Sequence, residues 1–255
     1  MPKIGYCLSG GGVRGIAHLG IMKALEEKGV KPSIISGTSA GALMGAFYAA
    51  GFTPDEILAV ALRSRFLTSS SLQWRKAGFF SMKFFNKLFH IIFPSNLFED
   101  LKIPLVVTAT NIITGELEYF EKGELVNVLL SSACFPMVFQ PVEMKNSIYM
   151  DGGILDNFPV QPLAGSCDRI VGSYVNDMDI TTKKISMTTI IDRTFNLAIN
   201  DAINIKKQVC DVFVAPPDMM RYGIMDMKQA STIFNEGYQY ATSFLTDDMV
   251  RKLVG

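Results

Sequence analysis

Ser39 lies between Gly37 and Gly41 in the stretch IISGTSAGALMGAF, residues 34–47. G-x-S-x-G after a short apolar run and before a helix-like run is the pattern of a nucleophile elbow. Small flanking residues keep such a turn tight and leave the hydroxyl exposed, and the chemistry it serves is acyl transfer. A serine hydroxyl is a poor nucleophile until a neighbouring base takes its proton. The chain has two histidines, His18 and His90. In an α/β-hydrolase the order is serine, acid, histidine, and no histidine follows His90, so Asp151, Asp156 and every later acid lack one downstream. His18 would have to act from a predicted helix ahead of the nucleophile, and His90 sits among phenylalanines. A carboxylate can serve directly if it touches the hydroxyl and burial raises its pKa. On pattern the best-placed carboxylate is Asp151, which closes an apolar strand in MDGG and is followed by Gly152 and Gly153. Taken singly, each motif has a plainer reading: Ser39 as a capping residue and Asp151 as a turn aspartate with a local Asx bond.

GGGVRG, from Gly10 to Gly15, precedes the elbow. It fits G-x-G-x-x-G, but a dinucleotide site needs an acid about 20 residues further on. The corresponding region, SIISG, has none, and Ile16 stands where a phosphate-binding loop needs lysine. The plain reading is a turn that lets strand and helix pack closely. The sharper one is that the amides of Gly10, Gly11 and Gly12, near a helix N-terminus, bind developing negative charge. The Ala40 amide would join them, and Arg14 would add a fixed positive charge.

The surrounding pattern predicts the elements that must carry these residues. Residues 4–8 read as a buried strand, followed by the glycine turn and a helix that ends near Gly29. Residues 33–36 read as a second strand, with the elbow and a small-residue helix after it. Strand–turn–helix twice over argues for a layered α/β domain with parallel strands. Thr53-Pro54-Asp55-Glu56 has the form of a helix start. Residues 105–121 read as two strands around Thr114-Gly115, and 169–175 and 211–216 as further strands. Residues 187–208 and the tail from about 227 to 253 read as helices.

Composition sets the outer bounds. Of 255 residues 49% are apolar and 19% charged, which suits a folded core rather than a disordered chain. Net charge is zero, so no global field draws the protein to nucleic acid or acidic membranes. No run of about 18 apolar residues predicts a spanning helix. The first residues lack a secretory pattern, and Cys7, Cys134, Cys167 and Cys210 are widely separated. Reduced thiols in the cytoplasm are therefore expected, and no metal site is suggested.

Together, GGGVRG, GTSAG and DGG resemble the motifs of the patatin-like phospholipase family, which carries G-G-G-x-[RK]-G, G-x-S-x-G and D-G-[GA] in that order. GIAHLGIMKALEE, SSACFPMVFQPV and DGGILDNFPV are similar to its bacterial members. The resemblance is clear over residues 4–163 and weaker beyond. It implies a three-layer α/β/α fold with a mostly parallel sheet, one domain over 1–255, and a Ser39–Asp151 dyad. It implies an oxyanion hole from Gly10, Gly11, Gly12 and Arg14, with Gly15, Gly37, Gly41, Gly152 and Gly153 as motif glycines. The implied activity is hydrolysis of fatty-acyl esters, phospholipid or lysophospholipid, without metal or cofactor. A non-catalytic lipid binder and an acyltransferase are the alternatives on the same fold.

AGFFSMKFFNKLFHIIFPSNLF, residues 77–98, interleaves phenylalanines with Lys83, Lys87 and His90. Such a segment suits a membrane interface, a lid over an acyl cleft, or a helix packed on the core. A peripheral contact at the inner membrane face is the membrane expectation. Oligomeric state is left open.

Overall fold

The computed structural model describes residues 1–70, 82–177 and 187–255. Its strands are β1 (Ile4–Leu8), β2 (Ile34–Gly37), β3 (Leu105–Asn111), β4 (Glu116–Phe120), β5 (Val142–Met144), β6 (Ser147–Asp151), β7 (Arg169–Ser173) and β8 (Val212–Val214). The helices are α1 (Ile16–Glu27), α2 (Ala40–Ala49), α3 (Pro54–Ser70), α4 (Lys83–Ile92), α5 (Leu125–Ser132), α6 (Met187–Lys206), α7 (Ala230–Phe244) and α8 (Asp247–Val254). All eight strands join one sheet.

Every residue of β1 and β3 is buried, as expected of strands covered on both faces. β1 pairs in parallel with β2 and β7, β2 with β3, and β7 with β8. Alternation sends Tyr6 and Leu8 to the larger core, packed with α1, α2, α5 and α7, and Cys7 to the other face. There Phe158, Leu163 and Ile203 of α6 close a smaller core. The architecture is thus helix, sheet, helix, with the larger helical layer on one side.

The strands between residues 105 and 151 run differently. β3 and β4 form an antiparallel hairpin, and β6 is antiparallel to both β3 and β5. β4 pairs with Val107 to Asn111 along one edge of β3. The opposite edge is shared: β2 occupies Leu105 to Val107 and β6 occupies Ala109 to Asn111. β2 runs with β3 and β6 against it, so their C-terminal ends converge on the same edge. Gly37 ends opposite Val107 and Asp151 opposite Ala109, with Thr108 between. That fork is what brings residue 39 to residue 151.

The predicted tail helix proves to be two. α7 stops at Phe244, and the Thr246 hydroxyl accepts from the Met249 amide at 3.3 Å to start α8. A threonine followed by two aspartates is a helix-start signal, overlooked inside a long polar–apolar run. The start of α3 matches its prediction. The Thr53 hydroxyl accepts from the Glu56 amide, and the Glu56 carboxylate accepts from the Thr53 amide at 2.8 Å, a reciprocal capping box. Of the phenylalanine segment, residues 77–81 lie outside the described residues, as do Arg75 and Lys76.

Candidate active site

Ser39 sits at the tip of the β2–α2 turn with φ 52° and ψ −122°. A non-glycine residue held at positive φ costs about 1–3 kcal/mol and persists only where its surroundings fix it. Its amide donates to the Ser132 hydroxyl at 2.9 Å. The neighbouring Thr38 hydroxyl donates to the Asp156 carbonyl and accepts from Thr108 at 2.6 Å. Gly41 has to be glycine because a Cβ there would stand 2.3 Å from the Leu8 carbonyl. The turn is thereby pinned against the end of β1.

The Ser39 hydroxyl donates to Asp151 Oδ2 at 2.7 Å. Asp151 Oδ1 accepts from the Gly153 amide at 2.8 Å, so the glycine pair after the aspartate orients its carboxylate. Burial pushes the Asp151 carboxyl up to about 7, and the Ser39 and Gly153 hydrogen bonds only partly oppose this. A carboxyl that titrates near neutrality and touches a serine hydroxyl has the geometry and basicity of a proton acceptor.

Neither histidine reaches this pair. His18 is fully buried; its Nε2–H donates to the Ser9 carbonyl at 2.8 Å, so Nδ1 accepts from the Ser173 hydroxyl at 2.7 Å. Burial pulls its pKa down to about 4, and the neutral ring ties α1 to the ends of β1 and β7. His90 is exposed and bonds within its own helix to the Asn86 carbonyl. Asp156 is engaged elsewhere, 2.5 Å from Lys206 Nζ.

The glycine loop divides its labour differently from the sequence expectation. The Gly10 amide donates to the Asn157 carbonyl at 3.1 Å, so it is not available to an oxyanion. Arg14 is not a charge facing the cavity. Its guanidinium is wholly buried, donating to the Gly11 carbonyl at 3.1 Å, to Asp192 Oδ1 at 2.8 Å and to Met220 Sδ. Burial of an arginine requires such a partner, and none was sought in the sequence. The amides of Gly11, Gly12 and Ala40 have no hydrogen-bond partner among the described residues, and all three residues line the cavity over Ser39. Gly12 holds φ +57°, and a Cβ on it would stand 2.4 Å from the Ile224 carbonyl. Gly15 plays a packing part, against Ala40 at the start of α2.

That cavity has a volume of about 260 Å³. Phe47, Phe85, Phe89 and Phe139 form much of its wall, with Leu43 and Met44. Phe85 and Phe89 come from α4, whose Lys83, Lys87, His90 and Ile91 face outward. The polar lining, besides Ser39 and Asp151, includes Asn157, Asn176, Asp192 and Asn196. Pattern reading missed these four. Asp192 and Asn196, four residues apart among apolar neighbours on a predicted helix, were the available signal. Among the described residues no three His, Cys, Asp or Glu side chains gather as a metal site would.

A family model described as patatin-like phospholipase matches residues 6–164. The chain belongs to this family. It is 27% identical over 278 residues to Lysophospholipase NTE1 of Debaryomyces hansenii, an alignment covering 96% of this chain and 18% of the relative. An uncharacterised NTE family protein of Mycobacterium bovis is 34% identical over 168 residues, 64% of this chain and 46% of that one. The chain thus spans less than a fifth of the length of the fungal protein. Among solved structures, VipD from Legionella pneumophila superimposes with a TM-score of 0.60 at 16% identity, covering 98% of this chain and 67% of that one. ExoU of Pseudomonas aeruginosa, in complex with SpcU, gives 0.52 at 15% identity, covering 99% and 53%. These two share the fold. No helix among the described residues is long and apolar enough to cross a membrane.

Proposed function

We propose that this patatin-like domain hydrolyses fatty-acyl esters through an acyl-enzyme on Ser39, with Asp151 as the only base. One observation carries the reading: a serine hydroxyl at positive φ donates to a buried carboxylate at 2.7 Å on the floor of an apolar cavity. Membership of a phospholipase family and likeness to a lysophospholipase support the lipid-ester substrate class.

In this mechanism Asp151 Oδ2 takes the proton as Ser39 Oγ attacks the ester carbonyl. The tetrahedral oxyanion is held by the amides of Gly11, Gly12 and Ala40, at the positive end of α2. Asp151 returns its proton to the departing alcohol. Water then attacks the acyl carbonyl as Asp151 takes its proton, and Asp151 passes that proton to Ser39 Oγ as the fatty acid leaves. The aromatic wall holds the acyl chain, and burying it there supplies about 0.8 kcal/mol per methylene. The outward face of α4, with Lys83, Lys87 and the 78% exposed Ile91, is the surface that would meet a lipid interface.

The test is intact mass after reaction with a lipid-like fluorophosphonate. One adduct on the wild type, and none on Ser39→Ala or Asp151→Asn, is the expected result. A folded wild type that takes no label overturns the hydrolase reading in favour of a lipid binder. Labelling that survives Asp151→Asn removes Asp151 as the base.

A further inference from the structure

Hydrolysis through an acyl-enzyme needs two nucleophiles, and the second is water. Ser39 is carried to the ester by its own turn, whereas water has to be held in line with the acyl carbonyl by other groups. A water molecule carries two hydrogens, so aiming a lone pair at a carbon takes two acceptors. Asp151 Oδ2 is the first, because its hydrogen bond from the Ser39 hydroxyl is gone once the serine is acylated.

Asn157 is placed to be the second. The residue is half-buried and lines the cavity, and its carboxamide has no hydrogen-bond partner among the described residues. Enclosed polar side chains are normally committed within the protein. Two glycines locate this one. A Cβ on Gly10 would stand 2.2 Å from Asn157 Oδ1 and 3.2 Å from the Ser39 Cβ. A Cβ on Gly153 would stand 2.8 Å from Asn157 Oδ1 and 3.0 Å from Asp151 Oδ1. The carboxamide oxygen therefore lies beside both members of the dyad, in space that the two glycines leave open. The backbone that carries it is held on both sides. The Asn157 carbonyl accepts from the Gly10 amide at 3.1 Å, and the Asp156 amide donates to the Gly152 carbonyl at 2.8 Å. Asp156 Oδ1 accepts from the Phe158 amide at 2.9 Å and pairs with Lys206.

We propose that Asn157 Oδ1 holds the hydrolytic water beside Asp151. This deepens the reading of Ser39 as an ester nucleophile and rests on it. In deacylation one water hydrogen bonds to Asn157 Oδ1 and stays on the oxygen. The other passes to Asp151 Oδ2 as the oxygen adds to the acyl carbon. The adduct then expels Ser39 Oγ, which takes that proton back from Asp151, and the fatty acid leaves with the remaining oxygen and hydrogen of the water. Attack by Ser39 needs no such support, so acylation does not depend on Asn157. An alcohol gives its one hydroxyl hydrogen to Asp151 and has none for Asn157. The residue thus favours hydrolysis over acyl transfer.

The test is a partition measurement. 4-Nitrophenyl octanoate is turned over in buffer with a fixed concentration of methanol, and octanoic acid and methyl octanoate are quantified. Their ratio depends only on how the acyl-enzyme is consumed. In Asn157→Ala, methyl octanoate relative to octanoic acid should rise about tenfold, the effect of losing one orienting hydrogen bond. The nitrophenolate burst should keep its wild-type rate while steady-state turnover falls, and an octanoyl adduct on Ser39 should accumulate in the intact mass. Asn157→Asp keeps an oxygen acceptor in the same place and should keep the wild-type ratio. An unchanged ratio in Asn157→Ala overturns the proposal whatever the total rate, because a merely structural residue slows water and methanol alike. A ratio that rises equally in Asn157→Asp overturns it too. Should Asn157→Ala fail to fold, Asn157→Leu, close in size to the native residue, gives the same comparison. Failure of the two readings is separable. A wild type that takes the fluorophosphonate label, with the ratio unchanged in Asn157→Ala, loses only the water site. A folded wild type that neither labels nor turns over loses the hydrolase reading, and the water site falls with it.

Discussion

Asp151 carries the functional consequence of burial at the scale of one residue. Its carboxyl is pushed up to about 7, and only the ionised form can take a proton from Ser39. Thus kcat/KM on a soluble ester should rise tenfold per pH unit below about 7 and level off above it. A profile flat from pH 5 to 8 would remove Asp151 from the base role. Ser39 adds a second expectation. Its φ of 52° suits glycine better than any side chain, so Ser39→Gly should be more stable than Ser39→Ala by about 1 kcal/mol. Both variants should be inactive; equal thermal midpoints would mean that the turn relaxes when the hydroxyl is lost. The motifs around Ser39 and Asp151 were legible because each pairs a polar residue with the glycines its turn requires, and the structure brings the two side chains to 2.7 Å. Arg14 was misjudged for a physical reason. An isolated arginine beside glycines reads as a charge on offer, and its neutralising partner Asp192 lies 178 residues away.

Helix α4 shows what an element adds. Phe85 and Phe89 lie on its inward side and Phe93 follows its last residue, with Phe89 and Phe93 meeting Phe47 edge-on. Phe85 lines the cavity and packs edge-on against Phe139 at 6.4 Å. Hence Phe85→Ala should raise KM for a twelve-carbon ester by about tenfold or more, and for a butyrate ester far less. Equal losses on both chain lengths would mean that Phe85 supports the fold rather than the acyl chain. The spacing of Phe85, Phe89 and Ile92 was legible in the sequence. Which surface this line faced was not, since a lid, a core helix and an interfacial helix all need one apolar stripe. The start of α3 is a simpler case. Thr53→Ala removes the hydroxyl that caps the Glu56 amide and should lower Tm by about 2–4 °C without changing turnover.

Across the whole molecule, two buried groups set opposing responses to acid. The folded-state pKa of Asp151 is raised, so stability tied to it grows as pH falls from about 7 towards its ordinary 3.8. His18 is depressed from 6.5 to about 4, so its contribution is full above 6.5 and is lost on acidification through that window. In the wild type the two slopes offset each other between about pH 4 and 6.5. Asp151→Asn removes the first slope, so its Tm should exceed that of the wild type at pH 8, and the advantage should shrink or reverse by pH 5. Parallel curves for the two proteins would show that burial does not shift Asp151 as described. The sequence supported a layered α/β fold from two strand–turn–helix units. The hairpin over residues 105–121 and the strand ending at Asp151 were legible; β5 and the antiparallel pairing of β6 with β3 and β5 were not, because pairing partners for short strands such as Val142–Met144 are chosen by tertiary contacts rather than by local pattern.

The fork at β3 also dictates when reactivity can arise during synthesis. Translation proceeds from the N-terminus, so the elbow and β3 leave the ribosome well before β6 does. Until β6 docks on its half of the shared edge, Ser39 has no carboxylate 2.7 Å away. In the proposed mechanism, a nascent chain halted before residue 151 carries Ser39 without the base that would activate it. Latency during manufacture then comes from strand order itself, and no separate inhibitory segment is required for it.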